Sequence, residues 1–386
     1  MKQFKFSTLS AFRIAMMLAL GGVASIGYAQ TITTFDVANS NDTQVGGLNS
    51  FGQVTGDYVT ADRAVHGFLR EPDGTIATFD VPGAAISSNL GTFPRAINPT
   101  GQIIGYYDDT TTQSGGCNGH CLTRHAFLRQ RNGTFITFDA PGAGSGNGQG
   151  TFPESITPSV EISGEYIDMN GHLHGFLRQP DGTIVTFDGV TNASLTAAVS
   201  INPEGKITGY SRQQLFLEHG FLRDVDGTIT IFDVCTAASA QSLNCNPLPN
   251  GQGVTQPVGI NSAGLITGAF VTFDGARTHA HGFLRQPDGA IITFDANGSS
   301  SESIPTGINS AGEITGGYQD VTNNVVHHHG FLRQPDGTIV TFDIPGGDTY
   351  PGRINSAGEI TGDFQDVSPS GTAGHLQGFA RTPPAM

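Results

Sequence analysis

Six stretches of this chain are close copies of one another, and His329 to Asp343, HGFLRQPDGTIVTFD, is the clearest. The others run from His66 to Asp80, His125 to Asp139, His174 to Asp188, His219 to Asp233 and His281 to Asp295. A seventh copy is divided. Gln377-Gly378-Phe379-Ala380-Arg381 holds its first half, and Thr31 to Asp36 holds its second. Repeated units that bury apolar surface only against their neighbours fold as one body, so a single domain is expected despite the length of 386 residues. Fifty-four glycines and 25 phenylalanines fit short strands and tight turns better than helices.

Each unit contains four pieces with strand character. After Asp295 they are Thr306 to Asn309, Glu313 to Tyr318, His329 to Arg333 and Thr338 to Asp343. Ser310-Ala311-Gly312 joins the first two, and Pro335-Asp336-Gly337 joins the last two. In the second turn proline presets φ and glycine accepts the left-handed position, which makes a hairpin. Ile-Asn-x-x-Gly marks the first hairpin at Ile97, Ile201, Ile260, Ile308 and Ile354, with Leu48-Asn49 as a variant. The third unit reads Ile156-Thr157-Pro158-Ser159-Val160 and lacks the turn glycine, so that hairpin should be strained or reshaped.

Four antiparallel strands per unit, repeated around an axis, predict an all-β, seven-bladed β-propeller. The divided copy predicts how the ring closes. The N-terminal strand at 31–36 should pair with Gln377 to Arg381, removing a free edge and fixing both ends. An open solenoid would instead carry atypical capping repeats.

These motifs resemble the bacterial extracellular HAF-repeat family. The motif that names it stands here as His125-Ala126-Phe127 and as His-Gly-Phe in five other copies, and the resemblance spans residues 31 to 381. It implies a secreted repeat protein and brings no catalytic residues with it. The absence of Trp sets the chain apart from WD repeats.

Residues 1–29 read as a signal peptide. Lys2, Lys5 and Arg13 are followed by the apolar run Ile14 to Ile26 and a Gly27-Tyr28-Ala29 cleavage site. The run is short for a span and is interrupted by glycines. A mature domain of 30–386, secreted to the periplasm or the exterior, follows. The formal charge of −15 excludes a basic nucleic-acid or membrane-surface binder, because the repeat arginines are spread over the fold. The four cysteines form two close pairs, Cys117 with Cys121 and Cys235 with Cys245. In an exported chain both pairs are expected as disulfides; zinc at the first pair, beside His120 and His125, is the alternative.

In an up-and-down arrangement both tight turns lie on one face. The variable connections, Asp108 to Arg124, Ala140 to Pro153 and Val234 to Pro257, lie on the other with both cysteine pairs. Any binding site is expected there.

Each repeat His stands fourteen residues before an Asp, and the hairpin register sets the two opposite one another. Gln377 would face Asp36 and donate in the divided copy. A tie present in every copy is structural, because a catalytic dyad is needed once. Extra histidines two residues earlier share a strand face with the repeat His. His172 with His174, His279 with His281 and His327 with His329 are therefore candidate two-imidazole sites for a transition metal, with His375 and His328 nearby. Asp109, Asp168, Asp320 and Asp366 stand four residues after the repeat glycine, as Ca²⁺ ligands or loop caps.

No nucleophile elbow, phosphate loop, zinc-protease or dinucleotide motif is present. Glu154, Glu161 and Glu165 fall in the irregular third unit, but nothing in the sequence selects a pair. The tyrosines Tyr106, Tyr107, Tyr166, Tyr210, Tyr318 and Tyr350 are expected to pack between blades. The sequence points to a monomeric, non-enzymatic, exported propeller with no required cofactor, offering its loops to a protein or glycan. Two alternatives stand: a lyase or hydrolase with its site at the central opening of the loop face, and a structural cell-surface component. Clustering of unusual polar residues over the channel would favour the enzyme.

Overall fold

The computed structural model describes residues 31–109, 122–213, 218–234, 254–273, 277–298, 302–322, 325–367 and 373–383. The N-terminal segment 1–30, expected as a signal peptide, lies outside these residues. So do all four cysteines, Cys117, Cys121, Cys235 and Cys245, and with them the two expected disulfides and the alternative zinc site beside His120.

The described residues form antiparallel four-strand units. They begin with β1 (Thr31–Phe35), followed by β2 (Asp42–Leu48), β3 (Val54–Val59), β4 (Val65–Arg70) and β5 (Ile76–Phe79). The second unit is β6 (Thr92–Ile97), β7 (Ile103–Asp109), β8 (Thr123–Arg129) and β9 (Phe135–Phe138). The third is β10 (Gln149–Ile156), β11 (Ile162–Ile167), β12 (Leu173–Arg178) and β13 (Ile184–Phe187). The fourth is β14 (Leu195–Ile201), β15 (Ile207–Arg212), β16 (His219–Arg223) and β17 (Ile229–Phe232). The fifth is β18 (Thr255–Ile260), β19 (Ile266–Phe273), β20 (Thr278–Arg285) and β21 (Ile291–Phe294). The sixth is β22 (Glu302–Ile308), β23 (Ile314–Thr322), β24 (Val325–Arg333) and β25 (Ile339–Phe342). Last come β26 (Gly347–Ile354), β27 (Ile360–Val367) and β28 (Ala373–Thr382), and β1 supplies their fourth strand. Thr31 pairs with Thr382 and Phe35 with Gly378 in that sheet. Units two, three and four merge into one sheet through short parallel contacts of β10 on β8 and of β14 on β12.

The repeated motif is explained by what each residue touches. The histidine Nδ1 stands 2.8–2.9 Å from the facing aspartate in every whole copy. The next residue is small because the fourth-strand phenylalanine lies over it: a Cβ on Gly330 would sit 2.6 Å from the Phe342 ring. In the second unit Ala126 takes this place against Phe138 and is fully buried. The motif phenylalanines, Phe68 through Phe379, are the fully buried centres of the apolar clusters. The arginine guanidinium then lies 4.7–5.0 Å over the fourth-strand phenylalanine of the preceding unit, from Arg70 on Phe35 to Arg381 on Phe342. Such stacked cations stabilise by about 0.5–2 kcal/mol each, so the arginines bind neighbouring units together.

Two further ties follow the same geometry. In every unit except the third, which has Thr157 there, the asparagine after the first strand donates its Nδ2 to the equivalent backbone carbonyl one unit on. These bonds span 3.0–3.2 Å and include Asn355 to Asn49. A buried Thr or Ser opening each first strand accepts the N–H of a residue just past the preceding fourth strand.

The divided copy departs from the expected tie. Gln377 is in register opposite Asp36, but the group that approaches Asp36 is His375, with Nε2 3.7 Å away. In the third unit the hairpin keeps its hydrogen bonds, Val160 N to Thr157 O and Thr157 N to Glu161 O. Val160 achieves this at φ +70°, where the sister units use glycine. A β-branched residue there carries about 1–2 kcal/mol of strain. Val160→Gly is therefore expected to raise stability by about 1 kcal/mol after the entropy cost of glycine; chemical denaturation at unchanged slope measures it.

Candidate functional site

The first strand of every unit contributes to a central cavity of about 200 Å³. At its tight-turn side it is lined by the repeat aliphatics Leu48, Ile97, Ile156, Ile260, Ile308 and Ile354. Each first strand is bulged just before this point, which turns one or two side chains toward the axis. On the second strand, the residue after the repeat glycine lies within electrostatic reach of these bulged side chains.

These are the positions where the otherwise constant repeat varies. Arg95 and Glu154 stand at the bulges of β6 and β10, and Arg353 follows the bulge of β26. Asp57, Tyr106, Glu165, Tyr210 and Asp363 follow the repeat glycine on β3, β7, β11, β15 and β27. The remaining units carry Val199, Val258, Thr306, Ala269 and Gly317 there, so the charge is concentrated on one side of the axis. Sequence reasoning noticed Glu154 and Glu165 without a reason to pair them, and it passed over Asp57, Arg95, Arg353 and Asp363. The available signal was an ionisable residue at a variable position inside a constant frame.

Electrostatically the group acts as a unit. Burial raises Asp57 to about 7, with Asp363 adding to the rise and Arg95 opposing it. Burial raises Asp363 to about 7 against the stabilising N–H of Val45, which donates to it at 2.8 Å. Glu165 is pushed up to about 8 by burial and then by Glu154, with Arg95 opposing. Glu154 is also raised by burial, although Arg95 and Arg353 hold it down. Burial alone would lower Arg95, but Glu154, Tyr106, Asp57 and Glu165 outweigh it and hold it charged. Tyr210 rises to about 12 through burial and the neighbouring glutamates. Within the protein, Asp57, Glu154 and Glu165 accept no hydrogen bond among the described residues, whereas Asp363 has the backbone tie to Val45.

Aromatic surface borders this charge. Phe93 stacks on Tyr106 at 4.8 Å, Phe152 of the next unit meets Tyr106 at 5.3 Å, and Arg95 and Arg124 lie over the same rings. A second cavity, about 260 Å³ and mainly apolar, opens between units six and seven beside Ile304, Gly317, Tyr318, His328 and Tyr350. Gly317 has an ordinary backbone and room for a Cβ, so the missing side chain leaves that space open.

The other sequence candidates lie on the rim. His281 uses Nδ1 on Asp295 and Nε2 on Thr272 Oγ1 at 2.8 Å, which leaves no nitrogen to share with His279. Asp320 stands 3.4 Å from His329 Nε2 and opposite His327 in register. Asp109 likewise faces His125 at 3.7 Å. Asp366 lies by Gly374 and the Asp36–His375 contact. Asp168, His172 and His174 bring three donor atoms within 4.8 Å of one another, the one such group among the described residues. Glu161 belongs to the strained turn, where it accepts from Ser159. Of the tyrosines, Tyr106 packs between units; Tyr107, Tyr166 and Tyr318 instead lie against His125, His174 and His329 of their own units. Side chains on adjacent strands of one sheet meet sooner than those of neighbouring sheets, which explains the difference. The stapled loops that Cys117 with Cys121 and Cys235 with Cys245 were expected to form lie outside the described residues, so the site is built without them.

No family model and no curated protein matches this chain. Among solved structures, the chain resembles a streptogramin B lyase with a TM-score of 0.52 and 15% identity, over 93% of this chain and 100% of that one. A polysaccharide lyase, Uly1, matches at TM-score 0.49 and 10% identity over 93% and 100%. A prolyl endopeptidase matches at 0.48 and 10%, over 92% of this chain and 50% of its own. At such identities the likeness concerns architecture alone. The chain has an all-β fold of four-strand antiparallel sheets with β-propeller neighbours.

Proposed function

We propose that this chain is an exported seven-bladed β-propeller of HAF-repeat type, closed by β1 on β28, which binds a hydroxyl-rich glycan segment at the mouth of its central channel. One observation carries this reading. Sister blades build the same bulges with Val199, Val258 and Thr306 and the same second strand with Ala269 and Gly317, so the fold does not need charge at these positions. Enclosed charges cost stability unless they are paired, and here Asp57, Glu154 and Glu165 accept no hydrogen bond among the described residues. Perturbed groups gathered in a cleft are the mark of a functional site. Carboxyls that are part protonated near neutrality both donate to and accept from vicinal hydroxyls. Phe152 and Tyr350 offer partly exposed ring faces beside them. On this reading the variable connections add contacts to the ligand.

A second reading, an enzyme, is favoured by the clustering of charged residues at the channel, which was the sign expected of one, and by Glu165. Raised to about 8 and set beside Glu154, which burial raises while Arg95 and Arg353 hold it down, it has the acid half of an acid–base pair, as a hydrolase or lyase requires. One experiment addresses both. Neutral and acidic oligosaccharides are titrated calorimetrically into the untagged protein and into Glu165→Gln and Asp57→Asn, and products are followed by mass spectrometry. A loss of affinity of about tenfold in either variant, the worth of one hydrogen bond to a charged group, supports the channel site. Turnover abolished by Glu165→Gln supports the enzyme. Wild-type binding that both variants retain in full removes the channel from the function.

A further inference from the structure

We propose that the outer rim of the third unit is a binding site for a single divalent transition-metal ion of the zinc class, held by Asp168, His172 and His174. This site is separate from the channel and does not depend on its occupant.

The three side chains are already arranged for such a role. His174 Nδ1 is held by Asp188 at 2.8 Å, and its ring stacks on Tyr166 at 5.1 Å. The ring orientation is therefore fixed from two sides, and Nε2 is left pointing at Asp168 Oδ2. The separation of 3.6 Å is too long for a hydrogen bond. A carboxylate that orients the far nitrogen of a metal-facing histidine is the usual supporting partner of such ligands. Asp168 is itself fixed: Oδ1 accepts the N–H groups of Asn170 and His172 at 2.8 Å, and Oδ2 accepts Asn170 Nδ2 at 3.1 Å. His172 is exposed, and its ring meets His174 edge-on at 6.4 Å. A modest rotation of this side chain brings its nitrogen to the point where the other two converge. Two imidazoles and one carboxylate form a ligand set suited to zinc-like ions, with open positions left for water.

The repeats supply internal controls. The second unit has the same aspartate–histidine pair, Asp109 and His125, but Thr123 replaces the outer histidine. The sixth unit has all three residue types, Asp320, His327 and His329. There Asp320 is opposite His327 in register and 3.4 Å from His329 Nε2, but the three donor atoms do not gather within 4.8 Å of one another. In the third unit β11 ends at Ile167, and a tight turn from Asp168 to Gly171 folds His172 back onto the aspartate. Among the described residues only the third unit gathers the three donors closely enough for one ion.

The test uses untagged mature protein, Co²⁺ absorption and competition by Zn²⁺. Expected is one equivalent of Co²⁺ per chain, displaced by Zn²⁺. Affinity should fall roughly tenfold or more in His172→Gln and Asp168→Asn, and by about 10–100-fold in Asp188→Asn through loss of the supporting carboxylate. His327→Gln should bind as the wild type does. Asn at 168 retains the turn-capping oxygen, so a loss there is not a folding defect; unchanged circular dichroism and melting temperature check this. The proposal is overturned if the wild type takes up no stoichiometric ion, if His172→Gln binds unchanged, or if His327→Gln weakens binding as much as His172→Gln does.

Discussion

A chain that lacks Thr31 to Asp36 is expected to lose cooperative folding as a monomer. β1 is a short strand, but it works on two sides. Ile32 packs with the cluster around Phe364 and Phe379, whereas Phe35 packs with Val54 and Phe68 in the first unit. Phe35 also lies under the Arg70 guanidinium at 4.7 Å and edge-on to Phe68 at 6.1 Å. Removing the strand exposes the whole edge of β28, leaves Arg70 without its ring and opens the seam between first and last units. Loss of one buried phenylalanine alone costs about 3–5 kcal/mol, and whole domains are stable by only about 5–15 kcal/mol. Thermal unfolding followed by circular dichroism, with light scattering for association through the bare edge, reads the result. A synthetic peptide of residues 31–36 should restore the transition by adding back as a strand. An unchanged midpoint in the truncated protein would show that the ends are not joined through β1.

The second large effect concerns pH. Asp57 and Asp363 are raised to about 7 and Glu165 to about 8, each above its value in an unfolded chain. Between roughly pH 4 and pH 8 the folded protein therefore holds more protons than the unfolded chain, and stability from these groups falls as pH rises. The penalty is complete above the folded values and absent below the unfolded ones. A shift of three units corresponds to a ceiling of about 4 kcal/mol; the partial solvent exposure of Asp57 reduces this to about 1–2 kcal/mol. Asp57→Asn should therefore be more stable than the wild type by that amount at pH 8 and nearly equal to it at pH 4. Urea unfolding at both pH values tests this. A constant difference between the two proteins across that range would mean that Asp57 is not held above its ordinary value.

A variant that gains stability while losing ligand is the usual sign that enclosed charge serves function. The sister units do without carboxyls at these positions, so Asp57→Asn is the variant in which to look for that pattern. Val160 is a different case: its strain is local to one turn, and the remaining turns show glycine doing the same task.

What the sequence determined by itself is everything repeated along the chain. The strand pieces, both hairpins, the histidine–aspartate register and the need for a small residue before each motif phenylalanine are local. Their partners lie within one hairpin, so spacing alone reveals them. Even the partner of β1 was legible, because the divided copy named its missing half. The tertiary structure decided whatever depends on neighbours that are distant along the chain. Arg333 meets Phe294 of the preceding unit, so its periodicity marked it as structural without showing what it touches. Arg95 and Glu154 are 59 residues apart yet interact because the bulges of successive first strands converge on one axis. The donor atoms of Asp168, His172 and His174 gather within 4.8 Å, whereas the same residue types at Asp320, His327 and His329 form no such group among the described residues, a difference that spacing along the chain does not reveal. The opening repeat thus specifies how the units are built and joined. The chemistry lies at the few positions where one unit departs from its sisters, and only the packing of the units brings those positions together.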